Sequence, residues 1–181
     1  ARTNSSILTR EEMLDVQVAN VFDAVERLRA LGIHRYEISN FARPGYESRH
    51  NSSYWKGVAY LGIGPSAHSY DHQTRQFNVA NNHSYVRALK EKKIPAETEI
   101  LAKKDHINEY ILTTLRTDLG CDLSLLIQRH GYDLLKEHTT YLTGLHDHQL
   151  ITLQDQFLRL TPSGRLLADK ISSDLFYSGD Q

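Results

Sequence analysis

Apolar residues follow one rule after residue 105 and another before it, and that break divides the chain into two unlike parts. From Asp105 onward Ile107, Ile111 and Leu115 recur at helical spacing up to Gly120. Leu123, Leu126 and Ile127 form a second stripe ending at Gly131, and Leu134, Leu135, His138, Leu142 and Leu145 form a third. Residues 150–153 and 157–160 read as a β-hairpin across Gln154-Asp155-Gln156, after which Thr161-Pro162 supplies an N-cap and a first-turn proline. Three helices, a hairpin and a final helix predict a winged-helix-like, mainly-α domain over residues 100–181.

The preceding part, residues 1–99, reads as α/β. A helix is predicted over 10–31, with Leu14, Val18, Val21, Val25 and Leu28 as one buried stripe. Thr9 and Glu12 are spaced as a capping box, and Gly32 stands where a left-handed residue stops a helix. A strand follows over 35–39. One helix–strand step cannot close a core, so this part is expected to finish a larger sheet within a longer polypeptide. Residues 41–81, dense in Gly, Asn, Ser, His and Tyr, read as a loop-rich surface of the kind that carries sites. Asn81-Asn82 offers an N-cap for a short helix to about residue 92, which Ile94-Pro95 ends.

Composition excludes several classes. With 40% hydrophobic and 24% charged residues and a net charge of −1, the chain is neither disordered nor fibrous. Lys and Arg number 13 against 11 Asp and Glu over residues 1–99, and 8 against 11 beyond. The one basic cluster, Lys90, Lys92 and Lys93, reads as a solvated helix end, and the helix over 122–130 carries only Arg129 as a fixed positive charge. No nucleic-acid partner is expected. No window approaches the roughly 20 apolar residues of a membrane span, and no signal peptide is visible, so the expected setting is cytoplasmic. A single cysteine, Cys121, excludes an internal disulfide or a CxxC metal site, and lacks the neighbours of a nucleophile.

Two segments could carry chemistry. Ser48-Arg-His-Asn-Ser-Ser-Tyr-Trp55 sets an imidazole at His50 and an amide at Asn51 beside Tyr54 and Trp55. Imidazole is a common axial ligand of heme iron, and aromatic rings pack on a porphyrin face; a loop histidine with two anchoring aromatics fits the same residues. Tyr60-Leu-Gly-Ile-Gly-Pro-Ser-Ala-His-Ser-Tyr70 joins backbone amides to His68, as a close-approach loop under a polar ligand would, or as a tight turn without one. It lacks GxGxxG spacing. His146-Asp147-His148 reads as a solvated turn rather than a metal site, and His72 and His83 flank the loop region as weaker candidates for a second heme ligand.

These segments also carry a resemblance. Tyr36-Glu-Ile-Ser-Asn-Phe-Ala-Arg-Pro-Gly-Tyr-Glu-Ser-Arg-His-Asn51, then Tyr54-Trp55, then Tyr60-Leu-Gly-Ile-Gly-Pro-Ser-Ala-His-Ser69 resembles the latter half of the oxygen-independent coproporphyrinogen III oxidase-like radical SAM proteins. His50-Asn51-x-x-Tyr54-Trp55 matches the HNxxYW signature of the heme chaperone branch, HemW, and Thr161-Pro-Ser-Gly-Arg-Leu-Leu-Ala168 resembles the HemN-type C-terminal domain.

The resemblance implies the closing part of a partial (β/α) radical SAM barrel over 1–99, followed by the HemN-type domain. It implies a heme chaperone: heme held by His50, Asn51, Tyr54 and Trp55, with His50 on the iron, and passed to heme-accepting proteins. Ala42 and His68 fall at positions that approach S-adenosylmethionine. The family's CxxxCxxC loop for a [4Fe–4S] cluster is missing, so the chain is expected to be a C-terminal fragment, inactive alone in radical chemistry. The rival activity is decarboxylation of coproporphyrinogen III, and a homodimer is left open.

Overall fold

A computed structural model describes residues 10–179, with side chains from residue 14, and the chain falls into two compact units, residues 1–48 and 49–181. Thr9 and the Glu12 side chain of the expected capping box lie outside the described residues.

The first unit is a helix running into a hairpin. Helix α1 (Arg10–Ala30) ends as its sequence predicts: Gly32 adopts φ +72°, its N–H donates to the Arg29 carbonyl at 2.9 Å, and the Ile33 N–H donates to Leu28 at 3.0 Å. Its stripe is not buried as expected. Val25 and Leu28 are half-buried, whereas Leu14, Val18 and Val21 are exposed; among the described residues of this unit α1 packs chiefly on the first strand of the hairpin. The single strand expected at 35–39 is instead β1 (His34–Glu37) turning into antiparallel β2 (Asn40–Ala42). Buried Glu37 makes that turn, its carboxylate accepting from the Ser39 N–H at 2.9 Å and Asn40 Nδ2 at 2.6 Å.

The second unit begins with α2 (Arg49–Trp55), followed by β3 (His68–Tyr70) and β4 (Thr74–Asn78), then α3 (Asn82–Lys90) and β5 (Ala96–Ile100). The strands form an antiparallel sheet in the order β3-β4-β5. Part of the stretch expected to be irregular, residues 68–70 and 74–78, is therefore sheet. Thr74-Arg-Gln-Phe-Asn78 is mostly polar and lacks the apolar alternation by which a strand is recognised. Asn81 caps α3 as predicted, accepting from the Ser84 N–H at 2.9 Å.

The remainder comprises α4 (Lys103–Leu115), β6 (Cys121–Asp122), α5 (Leu123–His130), α6 (Leu134–Glu137), α7 (Thr139–Asp147), β7 (Ile151–Gln154), β8 (Phe157–Leu160), a 3₁₀ turn (Gly164–Leu167) and α8 (Ala168–Asp174). Strands pair in the order β6-β8-β7, a winged-helix arrangement. Asp122 caps α5 by accepting from the Leu125 N–H at 3.1 Å, and Gly131 stops it at φ +62°. The third stripe is not one helix: the backbone at His138 (φ −118°, ψ 26°) separates α6 from α7. Ile107, Ile111 and Leu115 of α4 pack with Leu126, Leu134, Leu158, Ile171 and Leu175 in a single buried core. Among the described residues no helix is long and apolar enough to cross a membrane.

Two histidines make this core pH-sensitive. His130 stacks on His106 with ring centroids 6.2 Å apart; burial and the nearby His106, Arg129 and Lys103 push its pKa down. His138 Nε2 lies 2.9 Å from the hydroxyl of Tyr132, and burial pushes its pKa down as well. Below the ordinary histidine pKa of about 6.5 the unfolded chain takes up protons that the folded chain refuses, so stability falls as pH drops and levels off below the native values. Asp122 and Asp174, held low by the Ser124 hydroxyl and the Lys170 ammonium, act only in the lower carboxylate range. Urea midpoints should therefore fall from about pH 6.5 to 5, and a His130→Gln/His138→Gln variant should flatten that slope.

Candidate functional site

The His50 segment is a helix, not the loop its composition suggested. Helix α2 has seven residues and none is buried; Ser53 Oγ donates to the Arg49 carbonyl at 2.8 Å, and Gly57, at φ +62°, closes the last turn. Helical spacing places His50 and Tyr54 on one face, their rings edge-on at 4.9 Å and 86°. Tyr54 meets Tyr60 edge-on at 4.8 Å. Tyr60 and Tyr70 exchange two backbone hydrogen bonds of 2.8 and 2.9 Å, with ring centroids 6.0 Å apart, and Tyr70 meets His72 at 5.3 Å. The result is a row of rings, His50–Tyr54–Tyr60–Tyr70–His72. A groove of about 380 Å³ opens beside Tyr60 and Tyr70, with Leu61, Ser69, Thr74 and Gln76 also in its walls.

The far end of the row is held by a tight turn. His72 sits at φ +73°, and Asp71 accepts from the backbone N–H groups of Thr74 and Gln73, which hold its carboxyl below the usual range. Burial pushes the Tyr70 hydroxyl upward, so it stays protonated and able to donate.

The glycine loop supports this row rather than offering free amides. The Gly62 N–H donates to Ser69 Oγ at 3.0 Å and the Gly64 N–H to the Tyr85 hydroxyl at 3.1 Å, while Asn78 Nδ2 donates to the Gly64 carbonyl at 2.9 Å. A Cβ on Gly62 would stand 2.1 Å from the His68 carbonyl oxygen, so glycine is required for the loop to lie against β3. Gly62→Ala should cost about 1–3 kcal/mol and loosen the Tyr60–Tyr70 pairing, read from urea midpoints and from faster amide exchange at both tyrosines.

The other expected site residues are distributed differently. Asn51 is half-buried on α2. Trp55 leaves the tyrosine row: the Arg116 guanidinium lies over its ring at 5.5 Å, and its buried indole Nε1 faces no acceptor among the described residues. His68, exposed at the start of β3, meets Phe77 edge-on at 4.9 Å, while Ala42 is half-buried on β2 opposite His34, in the other unit. Tyr60 and Tyr70 stood at the two ends of the glycine segment, but nothing local marked them as neighbours. Arg116 carried no sequence signal at all.

The residues present do not fit an iron–sulfur cluster, which is held by several cysteine thiolates. Cys121, the one cysteine, is buried on β6, and burial pushes its thiol up to about 12. Heme is different, since the donor and the apolar faces it needs, an exposed imidazole and adjacent aromatic rings, are both present.

Comparison with known proteins places these features. A family model described as the HemN C-terminal domain matches residues 101–167. The heme chaperone HemW of Bacillus subtilis is 33% identical over 157 residues, 86% of this chain and 41% of its own length. HemW of Mycobacterium tuberculosis is 35% identical over 87% of this chain and 39% of its own length. The chain thus spans about two fifths of these relatives. A 41-residue segment is 54% identical to the mitochondrial radical S-adenosyl methionine domain-containing protein 1 of Danio rerio, covering 23% of this chain and 9% of that protein. Coproporphyrinogen III oxidase (HemN) of Escherichia coli, a radical SAM enzyme, superposes with a TM-score of 0.69 over 96% of this chain and 43% of its own, at 19% identity. That likeness bears out the expected architecture, the closing α/β part of such a barrel followed by the winged-helix-like domain. The chain belongs to the HemN/HemW group, and residues 101–167 are its HemN C-terminal domain.

Proposed function

We propose that this chain carries the heme-binding part of a heme chaperone, and that the whole protein passes heme to heme-accepting proteins. The observation that supports this most directly is the exposed imidazole of His50 at the head of a row of tyrosine rings. His50 supplies an imidazole nitrogen to iron, Tyr54 and Tyr60 supply apolar faces for the macrocycle, and Asn51 is the polar neighbour. The relatives named as heme chaperones are 33% and 35% identical to this chain over most of its length. Ala42 and His68 are proposed to approach S-adenosylmethionine in the whole protein, with the cluster held by residues other than this chain's.

The test is an absorbance titration with hemin, followed by transfer to an apo-form heme protein. A saturable Soret shift, with the heme then appearing in the acceptor, supports the reading. No saturable shift overturns it. Consumption of coproporphyrinogen III with S-adenosylmethionine by the whole protein, without heme binding, would assign the decarboxylase activity instead.

A further inference from the structure

We propose that Arg116 is a positioning residue for the His50 site, holding α2 through Trp55. The proposal rests on the reading of His50 as the heme ligand.

Helix α2 cannot fix its own orientation. Seven residues are far below the length at which an isolated helix is stable, about 12–15 residues, and none of the seven is buried. Its direction is therefore set by its contacts, and two of these come from adjacent residues of its last turn, which project about 100° apart around the helix axis. Tyr54 leans on Tyr60 at 4.8 Å, and Trp55 lies under the Arg116 guanidinium at 5.5 Å. Arg116 caps α4, whose Ile107, Ile111 and Leu115 are fixed in the core. Seven residues before it, two helical turns away on the same face, Glu109 pairs with Arg75 of β4. One face of α4 thus holds both the sheet and α2, while the opposite face is locked in the hydrophobic core.

The guanidinium is itself restrained. Its side chain is 23% exposed, and Arg116 Nη1 donates to Asp169 Oδ1 at 2.7 Å. Asp169 is 82% exposed, so that ion pair orients more than it stabilises. A planar guanidinium can stack on an indole face while donating in its own plane, a combination that an ammonium cannot reproduce.

Trp55 is the only tryptophan in the chain, so its emission reports this contact directly. Without heme, Arg116→Ala should red-shift Trp55 emission and raise its acrylamide quenching. Arg116→Lys should keep the charge but leave the emission close to that of the alanine variant, because an ammonium lacks the flat, weakly hydrated guanidinium that covers the ring. In hemin titrations both variants should bind about three- to tenfold more weakly, the loss expected when a partly desolvated cation–π contact that orders the site is removed. Circular dichroism and urea midpoints on the same samples establish that the variants are folded. Unchanged Trp55 emission in folded Arg116→Ala overturns the contact, and a shifted emission with wild-type hemin affinity overturns the positioning role. A wild-type chain that binds no hemin overturns the site reading and the positioning role with it, while the emission shift still reports the contact.

Discussion

Replacing His50 with alanine should weaken hemin binding by at least about 100-fold, because even residues that only orient a metal ligand typically change metal affinity 10- to 100-fold. The saturable Soret shift should vanish and leave only weak partition onto the tyrosine row. The same substitution should change stability by less than about 0.5 kcal/mol, since His50 is exposed on a helix that buries none of its residues. That separation is the strength of the experiment, because binding and folding are read on one sample. A variant that binds hemin as the wild type does would remove His50 from the iron. The row would then still offer Tyr54, Tyr60 and Tyr70 as apolar faces, and His72 at its far end would be the next imidazole to test.

The opposite pattern is expected for Ile111→Ala. Ile111 is fully buried between Ile107 and Leu115 on α4, and cutting it back to a methyl group removes apolar contact and leaves a cavity that a helix packed on several sides cannot close. The loss should be about 3 kcal/mol, read as a fall of about 6–12 °C in Tm. Ile127→Ala on α5 provides the contrast. It removes the same side chain from a position 47% exposed and should cost under about 1 kcal/mol. Because α4 also carries Glu109 and Arg116, the Ile111 variant should bind hemin normally only below its unfolding transition. The expected coincidence of lost helicity and lost heme affinity on heating distinguishes it from His50→Ala, which loses affinity with its fold intact.

Much of the fold was legible because the signals were local and strong. The stripe Ile107, Ile111, Leu115 recurs every four residues, and its face is the buried one; Asp122 and Gly131 bound α5 through a side-chain cap and a left-handed stop. The strand β4 escaped because Thr74-Arg-Gln-Phe-Asn78 is held by ladder hydrogen bonds to β3 and β5 rather than by an apolar face. The α1 stripe misled in the other direction. Periodicity shows that a face is apolar, but whether it is covered depends on which element arrives, and among the described residues of its unit α1 meets chiefly the first strand of a two-stranded hairpin.

By itself, then, the sequence determined the winged-helix-like C-terminal domain, the family, and the residue types at the site, because helical period, caps and an ordered motif are properties of short stretches. Only the tertiary structure decided how those residues are used. It separated Trp55 from the tyrosine row and placed it under Arg116, brought Tyr60 against Tyr70 through a glycine with no room for a Cβ, and showed the Gly62 and Gly64 amides already bonded to Ser69 and Tyr85. Each of these joins residues that are not sequence neighbours, from seven positions apart for Gly62 and Ser69 to 21 for Gly64 and Tyr85 and further still for Trp55 and Arg116. Such contacts are fixed by packing and hydrogen-bond satisfaction across the whole unit, and no local pattern encodes them.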